Sequence, residues 1–252
     1  MRISKRQCPT QLGVIMLALG LLGTATAALA GSNGNPGVLP VGSSPHGKTY
    51  GEWSAEFWKW QFSLPVDRNP IFDTAACSEG QSGHVWFLGG TTSAIEIEPG
   101  VILGQATRDC ALPVGTALFL PIVNVECSTV EGNGATEAEL RGCASSFADA
   151  ITDLSAELDG VPLKNLSAYR VESALFTFGP LPDNNVLQFF GVNAPAGTVS
   201  ASVSDGVHLM LAPLSRGDHT LHFHGALDLS SIGGPTFVQD ITYHLTVVPG
   251  RN

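Results

Sequence analysis

The chain has 252 residues, of which 44% are hydrophobic and 13% are charged, and its formal net charge at pH 7 is −10. This length allows one sizeable core in a single domain, whereas the acidic balance makes nucleic acid and anionic lipid poor partners. Beyond residue 30, no stretch approaches the ~20 consecutive apolar residues that a membrane-spanning helix needs.

Residues 1–30 are typical of a cleaved secretory signal. A basic start precedes an apolar run over residues 12–22, and Ala28-Leu29-Ala30 has the small-x-small pattern that signal peptidases accept. We therefore expect a secreted or periplasmic protein. Cleavage removes three basic residues and no acid, which leaves nine Lys and Arg against 22 Asp and Glu, a net charge of −13.

Residues 31–47 are rich in Gly, Ser, Asn and Pro and hold few apolar side chains. This composition predicts a flexible leader between the cleavage site and the folded part of the chain. The remaining residues, 48–252, form a single predicted domain.

A helix is predicted over residues 49–64. Thr49 and Glu52 have the spacing of a capping box, in which each side chain satisfies a backbone donor of the other residue's turn. Pro65 ends the helix. The side chains that share its apolar stripe at helical spacing are Tyr50, Trp53, Phe57, Trp58, Trp60, Phe62 and Leu64. Three of the four tryptophans lie here, so we expect this helix to pack across a sheet.

The alternative for this segment is an amphipathic helix that lies on a membrane surface. Such helices carry many Lys and Arg on their polar face. The polar face here has Glu52, Glu56, Ser63 and a single basic residue, Lys59. The charge pattern therefore favours the packed helix.

Four cysteines follow the predicted signal: Cys77, Cys110, Cys127 and Cys143. An even number in an exported chain predicts two disulfide bonds. Four cysteines allow three pairings, of which we favour Cys77–Cys110 and Cys127–Cys143. The alternative is a four-thiolate metal site, but none of the four stands in the C-x-x-C spacing that is usual for structural zinc.

A second helix is predicted over residues 137–158. Thr136 and Glu139 have the spacing of another capping box, and apolar residues recur at helical spacing as far as Gly160. The apolar positions are Leu140, Cys143, Phe147, Ile151, Leu154 and Leu158.

Short runs of β-forming residues, separated by Gly, Pro, Asn and Asp, predict strands along the rest of the domain. They cover residues 84–88, 116–123, 169–177, 186–190, 198–203, 207–211, 219–225 and 237–248. Eight short strands with two covering helices indicate a mainly β domain, an antiparallel β-sandwich or jelly roll, and not a parallel β-α-β fold.

The candidate site in the sequence is a group of histidines. His222 and His224 share one face of the strand over residues 219–225, because successive side chains of a strand alternate between its two faces. By the same alternation, the side chains of His244 and His208 are predicted to point away from the core. Imidazoles on neighbouring strands are ligands for Zn, Cu or Ni. The predicted metal ligands are therefore His222, His224 and His244, with His208 as a fourth candidate; the competing interpretation is a half-exposed polar sheet face.

Motifs of common enzymes are missing from the sequence. Ser82 and His84 lie close together, but the segment lacks the G-x-S-x-G pattern of a serine hydrolase. A phosphate-binding glycine loop and the H-E-x-x-H pattern are also absent. We therefore expect no enzymatic site and no resident cofactor unless the histidines hold a transition metal.

Several segments of the chain are distinctive. They are Glu52-Trp-Ser-Ala-Glu-Phe-Trp-Lys-Trp60, Gly80-Gln-Ser-Gly-His-Val-Trp-Phe-Leu88, Phe119-Leu-Pro-Ile-Val-Asn-Val-Glu-Cys127, Asp159-Gly-Val-Pro-Leu-Lys-Asn-Leu166, Val203-Ser-Asp-Gly206 and Gly217-Asp-His-Thr-Leu-His-Phe-His-Gly225. Across most of residues 49–248 the chain resembles a group of exported microbial proteins of unknown function. The resemblance implies no activity, substrate or site residue.

Two functions are consistent with these patterns. The first is a secreted, non-enzymatic binding or structural module, with a glycan or another cell-surface component as its partner. Glycan binding requires exposed aromatic side chains, for which Trp53, Trp60 and Trp86 are the candidates. The second function is metal binding through the histidine face, which requires the imidazoles to converge on one point.

Overall fold

The computed structural model describes residues 35–73 and 75–249, so the predicted signal at residues 1–30 lies outside the described residues. The α-helices in the described part are α1 (Tyr50–Ser63), α2 (Glu137–Ala148) and α3 (Val186–Phe189). The strands are β1 (Val85–Phe87), β2 (Ala94–Glu98), β3 (Val101–Pro113), β4 (Ala117–Ser128), β5 (Ile151–Leu158), β6 (Val161–Pro162), β7 (Arg170–Glu172), β8 (Phe176–Phe178), β9 (Ser200–Leu211), β10 (Gly217–Asp228) and β11 (Thr236–Val248).

The strands form two sheets. The five-stranded sheet has the order β1-β4-β9-β7, and β8 also pairs with β9. The six-stranded sheet has the order β2-β3-β11-β10-β5-β6. Buried side chains from both sheets form one hydrophobic core, so the expected mainly β, sandwich-like fold is confirmed.

Both sheets are mixed and not wholly antiparallel. The pairs β1–β4 and β3–β11 are parallel, whereas the central pairs β4–β9 and β10–β11 are antiparallel. The path of the chain explains the first parallel pair: β2 and β3 belong to the other sheet, so the chain crosses over between β1 and β4 and returns in the same direction.

Helix α1 forms as the sequence predicts. Glu52 N donates to Thr49 Oγ1 at 3.3 Å and Thr49 N donates to Glu52 Oε2 at 2.7 Å, so the capping box is complete. Its buried face packs on β9, where Met210 N donates to the Tyr50 hydroxyl at 3.2 Å. Burial of one large aromatic side chain contributes roughly 2–3 kcal/mol. The aromatic stripe therefore holds the helix against the sheet.

The second predicted helix, over residues 137–158, is correct only in its first half. Helix α2 begins at the expected capping box but ends early, and residues 151–158 form β5 instead. Asp153 has a left-handed φ of 52° in a bulge of this strand. The extra residue brings Ile151 and Leu154 to the same face, where both pack against the core. The three-residue spacing of Ile151 and Leu154, which predicted a helix, is therefore the result of a β-bulge.

The predicted strand over residues 186–190 is wrong, because this segment forms helix α3. The local signal is a capping box that the strand prediction overlooked. Gln188 N donates to Asn185 Oδ1 at 3.1 Å, and Asn185 N donates to Gln188 Oε1 at 3.1 Å. Two apolar residues next to this cap therefore begin a short helix and not a strand.

The predicted strands 198–203 and 207–211 are one continuous strand, β9. Gly206 continues the ladder opposite Asn124 of β4. A Cβ at position 206 would lie 2.5 Å from Asn124 Cα, so glycine permits a close approach of the two strands here and does not mark a turn. The predicted strand 169–177, in contrast, is interrupted between β7 and β8.

The expected flexible leader is wrong for its described part, residues 35–47. Asn35 is buried, and its side chain donates to Lys164 O at 2.8 Å and accepts from Lys164 N at 2.6 Å. Val38 is also buried and forms an isolated antiparallel bridge with Leu211 of β9. These contacts outweigh the polar composition of the segment, so the folded part of the chain includes residue 35.

Both favoured disulfides are present. Cys77–Cys110 joins the loop after α1 to β3, and Cys127–Cys143 joins β4 to α2. Structural disulfides of this kind are typical of proteins in oxidising compartments. Within residues 35–73 and 75–249, no helix has the length and apolar character needed to cross a membrane.

Candidate functional site

The structure removes His208 from the predicted metal site. Its side chain is fully buried, with Nε2 3.1 Å from Ser54 Oγ and Nδ1 3.0 Å from Gly206 O. Burial lowers the pKa of His208 to about 3. The expectation of an outward side chain is wrong because β9 is buried along nearly its whole length, with α1 packed against it.

His222 and His224 share the outer face of β10, as the alternation predicts. Asp240 of β11 lies opposite His224. Its Oδ1 is 3.2 Å from His222 Nε2 and its Oδ2 is 3.3 Å from His224 Nδ1. Asp153 Oδ2 lies 3.2 Å from the other nitrogen of His224. The two imidazoles are therefore joined by one carboxylate.

His244 lies apart from that group. It stands opposite Thr220 in the strand pair and lines a polar pocket of about 250 Å³ together with Asp159 and His219. Among the residues that the structure describes, no group of three His, Cys, Asp or Glu side chains is arranged to hold a metal ion. The metal site at His222, His224 and His244 stays a prediction.

His219 and Asp159, which line the same polar pocket, form a Ser–His–Asp series with Ser215. His219 Nδ1 lies 2.7 Å from Asp159 Oδ2, and its Nε2 lies 3.2 Å from Ser215 Oγ and 3.0 Å from Ser215 O. The hydrogen bond to Asp159 raises the pKa of His219. Through its contacts with Asp159 and Ser215, His219 holds the loop between β9 and β10.

A cavity of about 330 Å³ lies between α1, α3 and the two sheets. This volume falls within the range of about 300–1,000 Å³ that is usual for small-molecule sites. We call it the end pocket. Its first wall consists of Phe57, Trp58 and Gln61 from α1 together with Ile122 and Asn124 from β4.

The second wall of the end pocket comes from the six-stranded sheet, α3 and the loop before β2. It includes Ile102, Phe190, Phe237, Gln239 and Thr91. Thr91 N donates to Gln239 Oε1 at 3.2 Å and Gln239 Nε2 donates to Thr91 O at 3.3 Å, which fixes this loop to β11. Phe190 and Phe237 are 61% and 41% exposed, so aromatic side chains connect the pocket to solvent.

Three residues that line the end pocket carry a buried polar atom without a hydrogen-bond partner among the described residues. These atoms are Trp58 Nε1, Gln61 Oε1 and Asn124 Nδ2. Leaving a buried donor or acceptor unpaired costs about 1–3 kcal/mol, and such groups in a native fold call for an explanation. Each of these atoms has an accessible surface below 1 Å², so a ligand in the pocket does not reach them in this arrangement.

The end pocket was not predicted from the sequence because its residues come from distant elements. None of the described side chains that line it is ionisable, so the pocket carries no charged or metal-binding motif. The one local signal is Trp58, which widens the apolar stripe of α1 and is only half-buried.

The tryptophans that would form a glycan platform are not well exposed. Trp60 is buried, and Trp53 and Trp86 are half-buried. Trp53 Nε1 donates to Pro45 O at 2.9 Å, which ties this ring to the segment before the helix. Among the described residues, the large aromatic side chains that are exposed are instead Phe189, Phe190 and Phe237.

Comparison with known proteins adds no functional assignment. No protein-family model matches the chain, and no curated protein matches it significantly.

Proposed function

We propose that the protein is a secreted, non-enzymatic binding module that takes a small, largely apolar ligand in the end pocket. The observation that carries this proposal is a cavity of about 330 Å³ whose described lining residues are mostly apolar, with a few polar side chains and none that is ionisable. Burial of apolar surface contributes roughly 25 cal/mol per Å² toward binding, and a few polar groups orient the ligand.

Binding is tested with N-phenyl-1-naphthylamine, an uncharged apolar dye whose fluorescence rises in apolar surroundings. The mature chain is expected to give a saturable increase that fits one site. Ala94 lies on the pocket wall and is exposed, so Ala94→Trp places a large ring there. This variant is expected to bind the dye about tenfold more weakly, because it takes up volume that the dye needs.

Ala111→Trp is the matched control for this experiment. Ala111 is also exposed, lies on β3 and does not line the end pocket. The control is expected to bind the dye as the unmodified chain does. The proposal is overturned if the unmodified chain shows no saturable binding, or if both tryptophan variants lose the same affinity.

Export is the second part of the proposal. It is supported by the signal-like residues 1–30, by the two disulfides and by the resemblance to exported microbial proteins. Protein recovered from outside the cytoplasm is expected to begin at Gly31, which N-terminal sequencing detects. A recovered chain that retains residues 1–30 contradicts the cleavage.

Metal binding on the outer face of the six-stranded sheet is a second candidate function. It is supported by Asp240, whose two carboxylate oxygens face His222 and His224. Imidazole and carboxylate ligands suit Zn, Cu or Ni. The test is the metal content of tag-free protein after incubation with each ion and dialysis, beside the His222→Ala/His224→Ala variant. About one equivalent that the variant loses supports this function, and metal-free unmodified protein rejects it.

A further inference from the structure

We infer that β2 is a docking edge for an extended segment of another protein, in which apolar and basic side chains alternate and which adds to the six-stranded sheet as a further strand. Such pairing is independent of ligand binding in the end pocket.

The free edge of β2 indicates what kind of partner it accepts. β2 is the terminal strand of the six-stranded sheet and pairs with β3 alone among the described strands. All five of its residues are exposed. In an antiparallel ladder, alternate residues direct their N–H and C=O groups to opposite edges, so one edge of β2 presents backbone donors and acceptors to solvent. The backbone of another extended chain satisfies such an edge.

The opposite end of the same sheet is poorly suited to strand addition. Its terminal strand, β6, has two residues, and one of them is Pro162, which has no N–H to donate. β2 has five residues and no proline. A register shift between Glu96 and Glu98 limits the regular part of β2 to residues 94–96. The added strand is therefore expected to be short.

Apolar side chains continue across the sheet to this edge. Ile95 lies opposite Leu103 of β3, which lies opposite Val238 of β11. Leu103 and Val238 are half-buried, whereas Ile95 is 68% exposed. Apolar side chains that are neighbours on one face of a sheet stabilise the strand pair. An apolar side chain of an added strand, placed opposite Ile95, extends this row and covers its exposed end.

The acidic residues of β2 define the charge of the partner. Glu96 and Glu98 are exposed, and Glu96 Oε1 accepts a hydrogen bond from Gly100 N at 3.1 Å. The ion pairs that Lys and Arg form among the described residues are all made with other acids. A basic side chain on a neighbouring strand is attracted to such carboxylates, whereas an acidic one is repelled. Basic residues in the added strand therefore supply the missing counter-charge.

The same charges disfavour a second copy of the chain as the occupant. Two β2 strands in a symmetric antiparallel pair bring equal faces together, so the four glutamates of the pair lie close to one another. Like charges on neighbouring strands destabilise their pairing, and each chain carries a net charge of −10. A partner of opposite charge avoids this repulsion.

The test compares three labelled peptides by fluorescence anisotropy with the mature chain. The first is Thr-Val-Lys-Val-Lys-Val-Thr, the second has Glu in place of each Lys, and the third has Pro in place of each Val. The first peptide is expected to bind saturably and about tenfold more tightly than the second, because its charge complements β2. The third keeps the basic charge but cannot form a strand ladder, so it is expected not to bind.

Hydrogen exchange and a charge reversal then locate the binding. Exchange over residues 93–100 is expected to slow when the first peptide is bound. Glu96→Lys/Glu98→Lys is expected to reverse the preference toward the second peptide. The matched control is Asp67→Lys/Asp109→Lys, which makes the same change in net charge at exposed residues outside β2 and should still prefer the first peptide. Far-UV circular dichroism checks that both variants are folded.

Four results overturn the assignment. Equal binding of the first and third peptides would show that charge alone attracts them. Unchanged exchange over residues 93–100 would place the peptide elsewhere on the surface. A Glu96→Lys/Glu98→Lys variant that still prefers the first peptide would exclude β2 as the source of the selectivity. A concentration-dependent dimer that protects residues 93–100 without any peptide would make a second copy the occupant.

Discussion

Ser54 Oγ, in α1, lies 3.1 Å from His208 Nε2, in β9. The same hydroxyl lies 2.8 Å from Ser204 Oγ, and all three side chains are fully buried. Burying polar groups is costly unless they pair with one another. This polar contact therefore fixes one position of the aromatic helix on the centre of the five-stranded sheet.

The buried imidazole predicts a loss of stability in mild acid. Burial lowers the pKa of His208 to about 3 from the ordinary value of 6.5. Between these two pH values the unfolded chain binds a proton that the folded chain does not. The stability conferred by neutral His208 is therefore complete above pH 6.5 and is lost as the pH falls toward 3. The contribution is at most about 1.4 kcal/mol per pH unit.

Urea unfolding across this pH window, in the unmodified chain and in His208→Gln, measures the effect. Glutamine keeps a polar group beside Ser54 but does not titrate. The free energy of unfolding is therefore expected to depend less steeply on pH in the variant. Equal slopes would show that another group controls the acid sensitivity.

Two helical glycines are expected to respond in opposite directions to alanine. A Cβ at Gly51, in α1, would lie 2.6 Å from Glu172 O of β7, whereas a Cβ at Gly142, in α2, meets no atom within 4 Å. Gly142→Ala is expected to raise the unfolding free energy by about 1 kcal/mol, because alanine restricts the unfolded chain. Gly51→Ala is expected to lower it by about 1–3 kcal/mol, because a backbone atom blocks the new methyl group. Chemical denaturation distinguishes the two, and stabilisation at both positions would contradict the close packing of α1 on β7.

Removal of either disulfide is expected to lower stability by about 3–4 kcal/mol. The cysteines are 33 residues apart in Cys77–Cys110 and 16 residues apart in Cys127–Cys143. A longer closed loop restricts the unfolded chain more strongly, so Cys77→Ala/Cys110→Ala should be the less stable double variant. Guanidinium unfolding of both variants measures the order. The reverse order would show that packing of α2 on β4 outweighs the loop entropy.

Glu126→Gln is expected to stabilise the fold at neutral pH. Burial raises the pKa of Glu126 well above its ordinary value, and the neighbouring Glu131 raises it further. The folded chain therefore binds a proton that the unfolded chain releases, and stability falls as the pH rises above 4.5. Glutamine still offers an acceptor to Ser202 Oγ and has no charge to bury.

The gain in unfolding free energy of this variant should grow as the pH is raised from mildly acidic to neutral, as measured by thermal and urea unfolding. Glu137→Gln, on the exposed face of α2, is the matched control and should show no such growth. A gain that stays constant with pH would contradict the raised pKa.

The sequence predicted those helices and strands whose signals lie within a few consecutive residues. The capping boxes at Thr49 and Thr136 marked both helix starts correctly. The alternation in β10 and β11 also predicted their buried faces. β3 was missed because one inward position is Arg108, whose charge hides the alternation. That guanidinium donates to Asp73 Oδ1 at 2.7 Å and to the Tyr243 hydroxyl at 2.7 Å, contacts that no local pattern reveals.

The candidate sites depend on register and on distant contacts. The sequence places His222 and His244 on outer strand faces, but the register sets His222 opposite Thr242 and His244 opposite Thr220. Periodicity does not determine that offset. The end pocket is even less local, because Trp58 and Asn124 line one cavity only after the helix has packed on the sheets.

The position of β11 has a consequence for the order of folding. This strand lies between β3 and β10, so without it β2 and β3 are separated from the group formed by β10, β5 and β6. The six-stranded sheet is completed only by residues 236–248, which are made last among the described strands. A chain shortened before Thr236 lacks the strand that joins β3 to β10, so the six-stranded sheet cannot form in it.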